Sequence, residues 1–132
     1  MGGWLKDNTN ESQRRNLWNA AIDVLISLHK LDYKKIGFSN LIFEGKTPLN
    51  QQLLYWKSYQ NWALGGEINV TCEEAIHWLF ENQPNNEPTV LCWGDARISN
   101  IIYENSLDKV AAVLEWEMAS LGNPVQDIAW FN

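Results

Sequence analysis

The chain has 132 residues, of which 45% are hydrophobic and 20% charged, and its net charge is −6. This length and composition fit one small globular domain and leave no room for a second. The acidic balance argues against a nucleic-acid partner, although phosphate compounds can still bind to an acidic protein through magnesium.

The chain shows no pattern of a membrane or secreted protein. No apolar run approaches the roughly 20 residues of a membrane helix, and the first residues lack the pattern of a signal peptide. Cys72 and Cys92 have no metal-ligand spacing around them, and a disulfide framework is not expected. We therefore expect no membrane partner and a reducing, cytoplasmic location.

The first periodic segment predicts a helix from Glu11 to Leu31. Asn10 and Gln13 have the spacing of a capping box at its start. His29, near its end, is either a ligand or a packed residue that favours the helix dipole, and the pattern favours the second. The stripe that faces the core comprises Leu17, Ala21, Val24, Leu28 and Leu31.

Two further helices are predicted after an irregular connection over residues 37–45. Thr47 is a good N-cap with Pro48 at the first helical position, and the glycines at 65 and 66 end this helix. The third helix is predicted to start at Thr71, with a capping box to Glu74. The predicted apolar faces comprise Leu49, Leu53, Trp56, Tyr59 or Gln60, and Ala63 in the second helix, and Ala75, Ile76, Leu79 and Phe80 in the third.

The last third of the chain has β character. Residues 89–92, 101–103 and 110–114 read as short strands, and the last two flank a turn over 104–109. The order is three helices, then a strand and a hairpin. This order predicts an α+β domain.

Oxygen-bearing side chains converge at the open end of the predicted hairpin. Asn100 precedes its first strand and Glu115 follows its second, so the two positions lie side by side, and the loop of Asp95 adjoins them. A carboxylate and an amide oxygen suit magnesium, and a second carboxylate could orient an attacking hydroxyl, as phosphoryl transfer requires. By pattern alone, polar turn residues remain the simpler interpretation.

Several motifs in order carry a family resemblance. They are Gly94–Asp95, Asn100, Glu115–Glu117, Gly122–Pro124 and Asp127–Trp130. Together they resemble the catalytic core of the aminoglycoside-phosphotransferase superfamily, which includes choline and homoserine kinases and has the protein-kinase-like fold. The form of the motifs is most similar to a bacterial branch and to the phosphotransferase domains fused to some acyl-CoA dehydrogenases. The helical segments Leu28–Asp32 and Gln52–Trp56 also resemble this family.

The resemblance implies a partial C-terminal, substrate-side lobe of the kinase-like fold, mainly helical with a short strand and a hairpin. We expect one partial domain over residues 1–132, with a helical part at 1–88 and the catalytic loop, hairpin and metal-site segment at 89–132. No glycine-rich loop followed by a strand lysine is found, so we expect the nucleotide-covering lobe to lie elsewhere in a longer protein.

The resemblance also assigns roles. Asp95 matches the catalytic aspartate, and Arg97 in the same loop contacts phosphate or, preferably, pairs with a carboxylate. Asn100 matches the magnesium-binding asparagine. Asp127 matches an aspartate that supports the catalytic loop. Trp93 stands where many members have histidine, and we expect it to pack under the loop.

The chain departs from the family at Glu115, where a metal-binding aspartate is usual. The longer side chain moves the carboxylate outward, and magnesium is strict about geometry. Asn100 and Glu115 are therefore the expected cofactor-binding residues, and Glu117 either joins them as a metal ligand or faces solvent.

The leading hypothesis is an enzyme that uses Mg²⁺ and ATP to phosphorylate a hydroxyl of a small molecule. The alternatives are a degenerate or truncated binding or scaffold domain on the same fold, and a helical interaction module with a fortuitous motif. Faces built to meet missing parts would be exposed, which predicts a homodimer that covers them.

Overall fold

The computed structural model describes residues 4–42 and 47–131. Within this part of the chain lie α1 (Trp4–Asn8), α2 (Glu11–His29), α3 (Pro48–Ala63), α4 (Val70–Glu81) and α5 (Val125–Trp130), and the strands β1 (Val90–Cys92), β2 (Ile101–Tyr103), β3 (Val110–Val113) and β4 (Ser120–Gly122). Short 3₁₀ turns cover Phe38–Leu41 and Ile98–Asn100. The mixture of helices with small antiparallel sheets confirms the predicted α+β class.

Helix α2 carries the central apolar face. Its capping box is confirmed, because Asn10 Oδ1 accepts from the Gln13 amide and Gln13 Oε1 accepts from the Asn10 amide, both at 2.9 Å. The predicted end at Leu31 is wrong by two residues, since Lys30 caps the helix and Leu31 is exposed. The buried side chains of α2 are Leu17, Ala20, Ala21, Leu25 and Leu28.

The four strands form two antiparallel pairs. Strand β1 pairs with β4, with Leu91 opposite Leu121, and β2 pairs with β3 as the predicted hairpin, with Ile102 opposite Ala112. Helix α2 packs on β1 and β3 and on the 3₁₀ turn before β2. Tyr103 donates its hydroxyl proton to the Leu17 carbonyl at 3.2 Å, which fixes the hairpin to this helix. The resulting core comprises Ala21, Leu25, Leu28, Leu91, Trp93, Ala96, Ile98, Ile101, Leu121 and Phe131.

The helices α3 and α4 form a less buried unit. Thr47 and Pro48 start α3 as predicted, but the N-cap of α4 is Asn69, whose side chain accepts from the Cys72 amide at 3.1 Å. The predicted cap at Thr71 is therefore wrong. The buried stripe predicted for the second helix is also mostly wrong, because Leu53 is the one buried residue of α3, and the apolar face of α4 carries no buried residue either. These helices pack on each other, and α3 also contacts β4, so most of their surface meets no other described element.

Five elements were not predicted from the sequence, and they include α5 and the 3₁₀ turn Ile98–Asn100. Helix α1 and strand β4 are too short to show a period, and the 3₁₀ turn Phe38–Leu41 lies inside the segment that was expected to be irregular. Residues 43–46 of that segment lie outside the described residues. Strand β4 matters most, because its pairing with β1 brings residues 117–120 beside the loop that follows β1.

Gly94 makes the closest approach between these two segments. Its φ is +90°, and a Cβ on it would lie 2.2 Å from the Met118 carbonyl oxygen. Gly37 has the same φ of +90°, but a Cβ there would have nothing within 4 Å. Gly94 is therefore required both by its backbone conformation and by the contact with Met118.

This pair of glycines allows a matched test. Gly37→Ala should lower the free energy of unfolding by about 1–2 kcal/mol, the cost of a left-handed alanine. Gly94→Ala should cost a further 1–3 kcal/mol or so, because the backbones must also move apart. Urea denaturation of both variants measures the difference. Equal losses would show that the Met118 contact contributes nothing.

Candidate active site

The loop from Trp93 to Asn100 connects β1 to the hairpin and is fixed at its start by Trp93. This side chain is fully buried. Its indole Nε1–H donates to the carbonyl oxygens of Leu114 at 2.8 Å and Glu115 at 3.0 Å. These hydrogen bonds tie the beginning of the loop to the open end of the hairpin, although the residues are more than 20 positions apart in sequence.

Asp127 holds the start of the same loop through hydrogen bonds to its backbone. Its side chain is fully buried, and its two oxygens accept from the Trp93 amide and the Gly94 amide, each at 2.8 Å. Hydrogen bonds of this kind offset the high cost of a buried carboxylate. The two successive amides are the backbone of the predicted catalytic loop.

His29 completes the surroundings of this carboxylate. Its Nε2 lies 2.8 Å from Asp127 Oδ2, across 98 positions of sequence. From the sequence, His29 was expected only to lie near the end of a helix, and its hydrogen bond with Asp127 was not predicted. A signal did exist, since a histidine at the end of a core helix can meet a buried acid from another element. No spacing rule identifies which acid that is.

Asp95 lies in this loop, and both of its side-chain oxygens accept hydrogen bonds. Asn100 Nδ2 donates to Oδ2 at 2.7 Å and to the Asp95 carbonyl oxygen at 3.1 Å. Trp130 Nε1 donates to Oδ1 at 2.8 Å, and Arg97 Nε lies 3.2 Å from the same oxygen. The Trp130 hydrogen bond, and then those of Asn100 and the charge of Arg97, hold the pKa of Asp95 below its usual value despite some desolvation.

Trp130 also positions Arg97, whose guanidinium carbon lies 4.8 Å from the centre of the indole ring. A cation over an aromatic face is attracted by the ring electrons. Trp130 follows Asp127 by three positions in α5, so one short helix reaches both the loop backbone and the Asp95 side chain. The sequence motif included Trp130, but its contact with Asp95 was not predicted.

The open end of the hairpin lies beside this loop. Leu114 donates its amide proton to the Asn100 carbonyl at 2.9 Å, so Asn100 and Glu115 lie at adjacent positions. Because Asn100 directs its Nδ2 toward Asp95, its Oδ1 points away from that carboxylate. The Ser99 hydroxyl donates to this Oδ1 in a long hydrogen bond of 3.4 Å. That amide oxygen has the chemistry of a cation ligand.

Glu115 and Glu117 face each other at this rim. A hydrogen bond with Glu117 and the charge of Glu117 raise the pKa of Glu115, with smaller contributions from desolvation and from the charge of Asp95. The backbone of Glu115 adopts φ +58°, which is unusual for a residue with a side chain. Three carboxyl groups therefore share one region, which a cation would stabilise.

A second cluster lies beneath the loop. Ligand atoms of His29, Cys92 and Asp127 lie within 4.8 Å of one another, the one such group of three or more in the described part of the chain. Burial, and then the charge of Asp127, raise the pKa of the Cys92 thiol to about 12. Since the carboxylate is already hydrogen-bonded and the thiol is protonated, we interpret this cluster as structural.

The hydrogen bond from Trp130 gives a pH-dependent prediction. Asp95 has a lowered pKa in the folded state, so its ionised form contributes stability above about pH 4, the unfolded value, and this is lost as the pH falls through the folded value. In Trp130→Phe the Asp95 pKa should rise toward the unfolded value, so the stability that Asp95 contributes should be smaller and its loss should be complete at a higher pH. Carboxyl ¹³C NMR titration measures this shift. Trp62→Phe, an exposed indole on α3, is the control, and an equal pKa in both variants would contradict the assignment.

Comparison with known proteins agrees with this architecture. The family model described as "Phosphotransferase enzyme family" matches residues 2–131. Acyl-CoA dehydrogenase family member 11 of Gallus gallus is 34% identical over 113 residues, covering 83% of this chain and 14% of that protein. "Probable acyl-CoA dehydrogenase IBR3" of Arabidopsis thaliana is 32% identical over 125 residues, covering 89% and 15%. The chain thus spans about a seventh of these relatives.

A solved structure from Ralstonia eutropha, assigned as an aminoglycoside phosphotransferase, superposes with a TM-score of 0.78 at 24% identity. The match covers 94% of this chain and 38% of that one, and it confirms the kinase-like fold. A helical interaction module with a fortuitous motif is therefore the wrong interpretation. With its family model matched over nearly the whole length, the chain belongs to the phosphotransferase enzyme family.

Proposed function

We propose that this chain carries the catalytic loop of an enzyme that transfers the γ-phosphoryl group of ATP to a hydroxyl of a small molecule. The observation that supports this most is the cluster of Asp95, Asn100, Glu115 and Glu117 at one end of the hairpin. Phosphoryl transfer depends mainly on positioning and on stabilising charge, and this cluster offers groups for both.

The rim chemistry fits magnesium. Asn100 Oδ1 and the carboxylates of Glu115 and Glu117 are hard oxygen ligands, and the raised pKa of Glu115 reflects negative charge that a cation would offset. In this role the ion neutralises charge on the nucleotide phosphates. An acidic rim would otherwise repel those phosphates, so we expect ATP to bind here only with the metal.

Asp95 is the proposed partner of the acceptor hydroxyl. A carboxylate oxygen has about two acceptor positions. Oδ1 already has Trp130 and Arg97, whereas Oδ2 has Asn100 as its one partner among the described residues, so Oδ2 retains a position for the hydroxyl. Because its pKa is lowered, Asp95 acts mainly by orienting the hydroxyl. It accepts the proton as the new O–P bond forms and the bond to the departing ADP breaks.

The remaining residues position Asp95. We assign Arg97 to the ion pair with Asp95, which its place over Trp130 favours, and we assign Asp127 and Trp93 to holding the loop backbone. Loss of such supports misplaces the groups that they orient. The division into a helical part at 1–88 and a catalytic part at 89–132 remains a prediction.

The alternative function is a catalytically degenerate binding domain on the same fold. Glu115 is the observation that favours it, because it replaces the usual aspartate, has positive φ and hydrogen-bonds another acid. In either case we expect a cytoplasmic protein, an expectation that the free Cys72 and Cys92 support. No helix in the described ranges is both long and apolar enough to cross a bilayer.

The enzyme hypothesis predicts a magnesium-dependent nucleotide site. In the full-length protein, calorimetry should show ATP binding that requires Mg²⁺, and Asn100→Ala should weaken it about tenfold or more. Asp95→Asn should leave this binding nearly intact and lower kcat about 10²–10⁴-fold in an ADP-release assay with the acceptor. Asp108→Asn, an exposed acid in the hairpin turn, should change neither quantity.

Position 115 separates the two functions. If the site is a weakened enzyme, Glu115→Asp should raise activity or tighten Mg²⁺ binding, because the shorter side chain restores the usual ligand. Absence of Mg²⁺–ATP binding in both the native protein and this variant would reject the enzyme and favour the binding domain.

The predicted homodimer can be tested at the exposed apolar side chains of α3, α4 and their connection, which include Trp62, Ile68, Val70 and Trp78. Light scattering of this chain should give the mass of a dimer, and Trp78→Glu should convert it to a monomer. Ile102→Glu, on the hairpin, is the control. A monomer at all usable concentrations of the unchanged chain would reject the prediction.

A further inference from the structure

We infer that Trp130 is a positioning residue, whose indole fixes the orientation of the Asp95 carboxylate and with it the direction of the acceptor position left for a hydroxyl. The inference that this hydroxyl receives a phosphoryl group rests on the function proposed above. The inference that the indole orients the carboxylate rests on the contacts of Trp130 alone.

The Asp95 carboxylate needs two restraints to have one orientation. The torsion that turns an aspartate carboxylate is broad, so a hydrogen bond on one oxygen leaves the other oxygen able to move. Asn100 Nδ2 donates to Oδ2 at 2.7 Å, and Trp130 Nε1 donates to Oδ1 at 2.8 Å. Because each oxygen has its own donor, turning the carboxylate would break at least one of these hydrogen bonds.

Arg97 alone is a weaker restraint on the same oxygen. Its Nε lies 3.2 Å from Asp95 Oδ1, but its side chain is 46% exposed, and solvent screens ion pairs of exposed side chains. The guanidinium carbon lies 4.8 Å from the centre of the Trp130 ring, whose electrons attract it. Trp130 therefore acts on Oδ1 directly through its N–H and indirectly through Arg97.

The exposure of Trp130 argues against a role in packing alone. Trp130 is 44% exposed, whereas Trp93, the indole at the start of the same loop, is 0% exposed. The buried side chain of α5 is that of Asp127. An aromatic side chain that mainly stabilises a fold buries most of its surface, so the hydrogen bond to Asp95 is the stronger reason for an indole at this position.

The position of Trp130 in α5 allows its effect to be separated from that of Asp127. Asp127 accepts from the amides of Trp93 and Gly94 and so holds the loop backbone. Trp130 reaches the side chain of the next residue, Asp95. Removing the indole N–H leaves the hydrogen bonds of Asp127 in place, so the loop should remain while the carboxylate loses its restraint.

Two substitutions test the indole in the full-length protein. Trp130→Phe keeps a ring for Arg97 and removes the N–H, whereas Trp130→Leu removes both. Trp18→Phe is the matched control, because Trp18 is 37% exposed and its ring packs on Phe131, the residue after Trp130, with centroids 4.7 Å apart. It changes the packing beside the end of α5 and leaves the hydrogen bond to Asp95 intact.

ADP release from Mg²⁺–ATP without an added acceptor is the first measurement, since water then replaces the hydroxyl. The water oxygen forms a bond to the γ-phosphorus, the bond from this phosphorus to ADP breaks, and Asp95 accepts the water proton and passes it to solvent. Trp130→Phe should lower kcat about tenfold, the effect of one lost hydrogen bond, and Trp130→Leu should lower it further. Trp18→Phe should leave kcat unchanged.

Calorimetry and crystallography give measurements that need no turnover. The Kd of Mg²⁺–ATP should stay within about twofold of the native value in both Trp130 variants, because the nucleotide site is not altered. In crystal structures, the Asp95 carboxylate should have one orientation in the native protein and should be turned, or divided between orientations, in Trp130→Phe.

The outcomes separate this inference from the proposed function. An unchanged Asp95 carboxylate in Trp130→Phe would overturn the inference, and so would a Kd of Mg²⁺–ATP that rises as much as kcat falls. A turned carboxylate in a protein whose native form releases no ADP would leave the inference standing and count against the enzyme. ADP release by the native protein that Trp130→Phe lowers no more than Trp18→Phe does would do the reverse.

Discussion

The buried carboxylate of Asp127 is the constraint on which the rest of the site depends. A buried carboxyl group is tolerated only when its oxygens are hydrogen-bonded, and here the partners are the amides of Trp93 and Gly94 and the ring of His29. Those partners belong to α2 and to the loop after β1, while the acid belongs to α5. Satisfying one side chain therefore fixes three separate segments relative to one another.

The position of Asp95 follows from this arrangement. Once Asp127 is held, the indole of Trp130, one helical turn later, reaches Asp95 and supports Arg97. The loop can present its two amides to Asp127 because Gly94 adopts a positive φ and lies against Met118 without a side chain. Asp95 thus has a restrained, ionised carboxylate, which Asn100 and Arg97 of its own loop also contact.

What could be predicted from the sequence was whatever depends on neighbouring residues. The cap at Asn10, the start of α3 at Thr47 and the hairpin that brings Asn100 beside Glu115 all follow from local patterns. What could not be predicted depends on distant partners. His29 has no local reason to meet Asp127, and β4 is recognisable only through its pairing with β1. The apolar faces of α3 and α4 were misjudged because periodicity shows amphipathic character but not whether a partner covers it.

The segment that joins β3 to β4 connects the separate parts of the site. Leu114 pairs with Asn100 at its start, Glu115 and Glu117 form the acidic rim, and Met118 packs against the loop glycine. Because β4 is paired with β1, this segment cannot shift without moving the loop that carries Asp95. A cation bound at the rim would therefore act on backbone that also holds the loop of Asp95 in place.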